Sequence, residues 1–276
     1  MKISIVTPNY NYGEFLIKAI KNVFAQTESE DSPIVEHIVI DGRSTDNSVK
    51  YMQEWDNFIA TIPEERKARY SFSWVSEKDR GQTDAINKGL RKSTGDIMCW
   101  LNADEEYKPN ALKEIAFAFD KYQKADIIYG EIEFTQKDGT PIRVKKDHCF
   151  SHGVLLHYDC YIPSAATFWR RRAYEIAGDL DFTYKVTMDY EYWLRFSKLE
   201  CRFKHLPKTI ASFAWHENNI STVFNERRLK ECLKVRLLYG VKLPFGTKFQ
   251  RIYLSLAHIY WFMWRQVLKT FRKVLY

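Results

Sequence analysis

Hydrophobic and polar positions change period repeatedly through the first half of the chain. Ile3–Val6 reads as a strand, and after the polar turn Thr7-Pro-Asn-Tyr-Asn the apolar positions Phe15, Leu16, Ala19, Ile20, Val23 and Phe24 recur every three or four residues. That spacing predicts a helix from about Glu14 to Gln26 with one buried face. His37–Ile40, Phe72–Val75 and Ile97–Leu101 are further predicted strands. Ser44 or Thr45 is placed to cap the helix after the second strand. Asp84–Arg91 reads as a helix, and Pro109 opens another to about Tyr122, since a first helical turn tolerates proline. Strands alternating with helices indicate the α/β class, with a mostly parallel central sheet flanked by helices.

Ligands of such sheets bind beyond the carboxyl ends of the strands. Four of those ends carry polar residues: Thr7 to Tyr10, Asp41 to Arg43, Glu77 to Gln82, and Asn102 to Glu105. A site is expected along that edge.

The second half is less regular. Asp126–Tyr129 is strand-like, and Glu131–Phe134 with Ile142–Val144 around Asp138-Gly139 predicts a hairpin. Helices are expected at Arg171–Ala177, Asp189–Leu199 and Asn225–Leu238, with a strand pair at Phe203–Leu206 and Ile210–Trp215. Gly240, Pro244 and Gly246 mark a linker, so residues 1–240 are expected to form one domain and 245–276 a separate helical tail.

Composition narrows the class. With 45% hydrophobic and 28% charged residues and only 11 Gly and 8 Pro, the chain is a folded globule. The net charge of +7 is local: seven Lys and Arg and no acid fall in residues 242–276, leaving 35 of each sign elsewhere. A surplus confined to one terminal segment argues against nucleic-acid binding. The five cysteines contain no Cys-x-x-Cys, so neither a disulfide framework nor a thiolate zinc site is indicated, and a reducing compartment fits. The first residues form too short an apolar run for a signal peptide. The longest nearly uncharged stretch, Ile252–Trp264, is shorter than the roughly 20 residues of a membrane-spanning helix. Aromatic and basic residues interleave through the tail, a pattern expected either of a helix in a membrane interface or of one packed on the protein or a second subunit. A cytoplasmic location is expected, peripheral at the inner face of the cell membrane if the tail binds lipid.

Asn102-Ala-Asp-Glu sets carboxylates at the mouth of a buried strand, where a hard divalent cation can be shared with a diphosphate; the alternative is an acidic helix cap. Asp41 can accept from a ribose or base, or close an Asx-turn. Neither Gly-x-Gly-x-x-Gly nor a P-loop is present. Asp189 on its own reads as a helix N-cap before Tyr190-Glu-Tyr-Trp-Leu. Trp169, Trp193 and Trp215 lie in apolar patterns that favour the core over sugar stacking.

Order and spacing add a resemblance. Ser4-Ile-Val-Thr-Pro-Asn-Tyr-Asn, Ile38-Val-Ile-Asp-Gly-Arg-Ser-Thr-Asp, Trp74-Val-Ser-Glu-Lys-Asp-Arg-Gly-Gln-Thr-Asp-Ala-Ile-Asn-Lys-Gly, Trp100-Leu-Asn-Ala-Asp and Met188-Asp-Tyr-Glu-Tyr-Trp-Leu-Arg resemble, in that order, segments of the family-2 inverting glycosyltransferases. The resemblance covers roughly residues 3 to 220. It implies a GT-A fold and a nucleotide-binding set of Thr7, Pro8, Tyr10, Asp41, Asp79, Gln82, Asn102 and Ala103. It further implies Asp104 as the main ligand of Mg²⁺ or Mn²⁺, with Glu105 and His216 as further candidates. The catalytic base would be Asp189, with Glu191 as a near alternative. The implied partners are a nucleoside diphosphate sugar, UDP-linked by expectation, and a glycan or lipid-linked glycan acceptor. Asn102, an amide where relatives carry an acid, leaves open a non-catalytic nucleotide-sugar or glycan-binding module.

Overall fold

The computed structural model describes residues 1–215, 226–241 and 247–270. Its first half runs β1 (Lys2–Asn9), α1 (Gly13–Ala25), β2 (Ile34–Asp41), α2 (Ser48–Thr61), a single turn α3 (Glu64–Lys67), β3 (Tyr70–Ser76), α4 (Gln82–Lys92) and β4 (Ile97–Trp100). These strands pair in parallel in the order β3-β2-β1-β4. Ile3, Ile5, Val35, Ile38, Ile40 and Ile97 are buried, as strands covered on both faces require.

The second half continues with β5 (Glu105–Tyr107), α5 (Ala111–Lys121), β6 (Ile127–Thr135), β7 (Pro141–Lys145), α6 (His152–His157), β8 (Thr167–Arg170), α7 (Arg171–Ala177), α8 (Met188–Lys198), β9 (Phe203–Ala214), α9 (Glu226–Leu238) and α10 (Thr247–Thr270). Here the sheet becomes mixed: β8 lies antiparallel to both β4 and β6, β9 is parallel to β6, and β5 pairs antiparallel with β9. The α/β class holds, but parallel pairing dominates only the first four strands.

Several expected boundaries moved. The two strands predicted around Gly130 are one strand, β6, because Gly130 passes so close to Ile210 of β9 that no side chain fits between them. The pair predicted across Phe203–Trp215 is likewise the single strand β9. Pro109 lies outside its helix: Asn110 takes a left-handed conformation (φ 62°) and α5 starts at Ala111. The expected hairpin is present as β6 and β7.

Three tryptophans join the two halves. Trp100, at the end of β4, stacks on Trp193 of α8 with ring centroids 5.5 Å apart and 3° between planes, and Trp169 of β8 packs against both. All three are buried, as the apolar patterns around Trp169 and Trp193 implied, whereas Trp215 is about half exposed.

A second buried contact links β1, β2 and β3. The His37 ring is within hydrogen-bonding distance of Thr7 Oγ1 (2.9 Å) and of the Tyr70 hydroxyl (3.1 Å), and burial lowers its pKa to about 3. The unfolded chain takes up that proton near pH 6.5, so it binds more protons than the folded chain between there and about pH 3. Stability therefore falls on acidification below pH 6.5, by roughly 3 kcal/mol from this group at pH 4. Urea unfolding at pH 7 and pH 4 measures the loss. His37→Phe will shrink the slope, leaving the part due to other shifted groups, among them His148, His152, His157 and His205, which burial also disfavours in charged form.

Candidate active site

The carboxyl ends of β1, β2 and β3 are tied by one carboxylate. Asp41 Oδ1 accepts from Asn9 Nδ2 (2.7 Å) and Ser44 Oγ (2.5 Å), while Oδ2 accepts from the Ser44 amide (2.9 Å) and Ser76 Oγ (2.6 Å). With four internal donors and no exposure, Asp41 braces the loop. Ser44 is spent on Asp41, and α2 begins after Asn47, so neither Ser44 nor Thr45 caps it. The Thr7 hydroxyl is likewise turned inward, buried against His37. Pro8 is buried within β1 opposite Ile40.

What does face the edge is Tyr10, which is exposed, and Asp79, which is partly so. Both rest on Gly42: a Cβ there would lie 2.8 Å from Asp79 Oδ2 and 3.3 Å from Tyr10 Cδ2. The glycine was not among the expected site residues. Its signal was the Asp-Gly step at a strand end.

After β4 the chain converges with α4. Gln82 Nε2 donates to Asn102 Oδ1 (2.6 Å), and the Asn102 amide donates to Glu105 Oε2 (2.8 Å). Ala103 turns its methyl into an apolar cluster with Leu16, Ile20 and Val39, so its side chain does not meet a ligand. Asp104 is partly exposed and near enough to Tyr12 to raise the phenol's pKa, second to burial. A cavity of about 150 Å³ opens beside Asp104, bounded by Phe15, Lys18 and the β6–β7 turn at Gln136 and Lys137. A larger one of about 550 Å³ lies beyond β5. Its amides, Asn22 and Gln26, are bonded to the backbone of Tyr107, Lys108 and Leu112, so they frame the fold.

Glu105 is buried, and its pKa is pushed well up, first by burial and then by the charges of Asp104 and Asp189. Asp104 and Asp189 thus both lie near enough to one buried carboxyl for their charges to raise its pKa. Crowded carboxylates of this kind suit a divalent cation, whose charge removes their mutual repulsion. Asp104 and Glu105 fit as hard oxygen donors, with Asp104 the more accessible. Among the described residues no third His, Cys, Asp or Glu completes a cluster with them. Mg²⁺ or Mn²⁺ shared with a diphosphate takes its other ligands from phosphate oxygens and water. His216 lies outside the described residues.

Asp189 is the second residue of α8, not its cap, which is Thr187. Its Oδ1 accepts from the Tyr190 amide (2.7 Å). Burial raises its pKa, opposed by that bond and by Arg228 and Lys145. Glu191 points elsewhere: it is buried, paired with Arg195 (2.5 Å), and accepts from the Tyr239 hydroxyl (2.5 Å). The two acidic residues therefore divide, one toward the site and one into the core.

Glycosyl transferase family 2, as a family model, matches residues 4–203. The chain belongs to this family. A glycosyltransferase of Nostoc sp. is 29% identical over 196 residues, covering 66% of this chain and 54% of its own length. The chain thus spans about half of that relative. A PGL/p-HBAD biosynthesis glycosyltransferase of Mycobacterium bovis is 24% identical over 242 residues, 87% of each chain. In fold, the chain is similar to S. aureus TarS in complex with UDP-GlcNAc (TM-score 0.65, 16% identity, 87% of this chain and 66% of that one). It is also similar to a Pyrobaculum calidifontis mannosyltransferase in complex with GDP-Man and Mn²⁺ (TM-score 0.62, 16% identity, 94% and 71%). The architecture is the GT-A fold of these enzymes.

In this family-2 chain the turn before Asp189 is held from outside the matched region. Glu231 of α9 accepts from the amides of Lys185, Val186 and Thr187 at 2.9 to 3.2 Å and from the Thr187 hydroxyl at 3.2 Å. Lys185 Nζ in turn donates to the Arg80 carbonyl (2.8 Å), and Thr83 Oγ1 to the Tyr184 carbonyl (3.2 Å), joining the turn to α4. Nothing in the spacing of Glu231 marked this role, because its partners are backbone groups. Glu231→Ala strands those donors. Amide exchange at residues 185–187 will accelerate at least about tenfold, as loss of a charged acceptor worth roughly 1.5–3 kcal/mol implies. Exchange in β1, β2 and β4 will stay as in the parent protein by mass-resolved hydrogen–deuterium exchange.

Proposed function

We propose that the protein transfers a sugar from a nucleoside diphosphate donor, UDP-linked, to a hydroxyl of a glycan or lipid-linked glycan, with inversion. The observation that carries this reading is that Asp104 and Asp189 both lie close enough to buried Glu105 to raise its pKa, in a family-2 chain. Nucleotide sugars in the similar TarS and mannosyltransferase structures support a donor of that class.

In this reading Tyr10, Gly42 and Asp79 line the nucleoside end of the donor, and Gln82 with Asn102 orient the sugar–diphosphate link. Asp104, with Glu105 behind it, would hold Mg²⁺ or Mn²⁺. Bound there, the cation would neutralise charge on the departing diphosphate. Asp189 takes the proton from the acceptor hydroxyl as that oxygen attacks the anomeric carbon opposite the leaving group. Burial suits it to the task, since a carboxylate with a raised pKa is a stronger base than a solvated one. Lys145 and Arg228 keep its charged form accessible.

Asp189→Asn will cut transfer about 10²- to 10⁴-fold with donor binding retained, as expected for loss of a general base. Retained transfer would remove Asp189 from the role. The transfer rate of the parent protein will fall on acidification, with a midpoint above the roughly 3.9 of an ordinary aspartate, because the proton that silences the base binds more readily. Asp104→Ala will abolish the metal-dependent part of UDP binding, read by calorimetry with and without Mn²⁺. Donor binding without transfer or hydrolysis in the parent protein would favour the non-catalytic binding module.

A further inference from the structure

The C-terminal helices use one face each and leave the other bare. On α10, Trp261 stacks on His157 (5.5 Å, 4°), His258 and Phe262 pack on Tyr158, and Arg265 pairs with buried Asp147 (2.7 Å). On α9, Glu231 and Val235 are buried, and Arg236 donates to the Tyr158 carbonyl (2.7 Å). Both helices therefore grip the same residue, Tyr158, and their outer faces flank it.

Those outer faces are apolar. On α10, Leu256, Ile259, Tyr260, Met263 and Val267 are 42% to 62% exposed, at helical spacing along one stripe. On α9, Leu229, Leu233 and Leu237 form a second stripe at intervals of four, 40% to 52% exposed. Single exposed leucines are unremarkable, but two stripes on helices that both contact Tyr158 form a surface that needs an occupant.

Charge selects it. From residue 226 to the C-terminus, Glu226 and Glu231 are the only acids against twelve Lys and Arg. Glu231 is turned inward onto residues 185–187, and Glu226 is paired with Lys230 (2.7 Å). A second copy brought to this segment would set one net-basic stretch of chain against another. An anionic lipid surface accepts both features at once, the apolar stripes entering the headgroup boundary and the basic side chains meeting phosphate. Among the described residues no helix is long and apolar enough to cross a membrane, so these helices would lie in its plane.

We propose that the outward faces of α9 and α10 form one binding surface for an anionic phospholipid bilayer. This does not depend on the transfer reaction. It leaves the docked faces, and with them Glu231 and the turn before Asp189, undisturbed.

The test is flotation of the intact protein with phosphatidylcholine vesicles, with and without phosphatidylglycerol, at low and high salt. Binding is expected to require phosphatidylglycerol and to weaken with salt. Paired substitutions Tyr260→Ser with Met263→Ser, and Leu233→Ser with Leu237→Ser, should each weaken it about tenfold or more at unchanged melting temperature, since all four side chains are exposed. The proposal is overturned by failure of the folded parent protein to float with anionic vesicles at low salt, or by paired variants that bind as it does. It is equally overturned by a dimer in sedimentation equilibrium that the same variants dissociate without any vesicle binding, which would make a second copy the occupant.

Discussion

The site depends on keeping β4 and α8 in fixed register, and the stacked indoles of Trp100 and Trp193 do this. Trp100 is followed two residues later by Asn102, and Trp193 lies one helical turn beyond Asp189. A flat contact between large buried rings constrains rotation as well as separation, and Trp169 closes it from the side. Among the described residues, the indole N–H groups of all three have no hydrogen-bond partner. The cluster therefore holds by packing alone, and a smaller side chain there leaves a cavity between the elements that carry Asp104 and Asp189.

Around that join the carboxylates have distinct physical roles despite identical chemistry. Asp41 is saturated by internal donors and serves the backbone. Glu191 is neutralised by Arg195 and Tyr239. Glu231 caps a turn by collecting its amides. Glu105 is disfavoured in charged form by burial and by its neighbours. Asp79, Asp104 and Asp189 remain without such a saturating set, and the proposed chemistry draws on them.

The C-terminal helices extend the argument beyond the region matched by the family. By clamping residues 185–187, α9 makes part of the site's geometry depend on a segment whose outer face is basic and apolar. In the proposed arrangement the surface that meets lipid and the turn before Asp189 are opposite sides of one helix, which suits an acceptor drawn from a membrane.

The alternation of strand and helix, the polar strand ends, the position of Asp104 just after one of them and that of Asp189 at a helix start were legible in the sequence, because they follow from local periodicity and from residues adjacent in the chain. The basic, acid-free tail was legible for the same reason. Only the tertiary structure decided that Asp41 and Thr7 turn inward, that Gly42 supports Asp79, that Glu191 leaves the site, and that Glu231 holds the turn before Asp189. In each case the deciding partner lies far away in sequence or is a backbone group, and neither leaves a mark on the spacing of side chains. A carboxylate's role depends on how many donors the fold brings to it, and that number exists only once the strands and helices have packed.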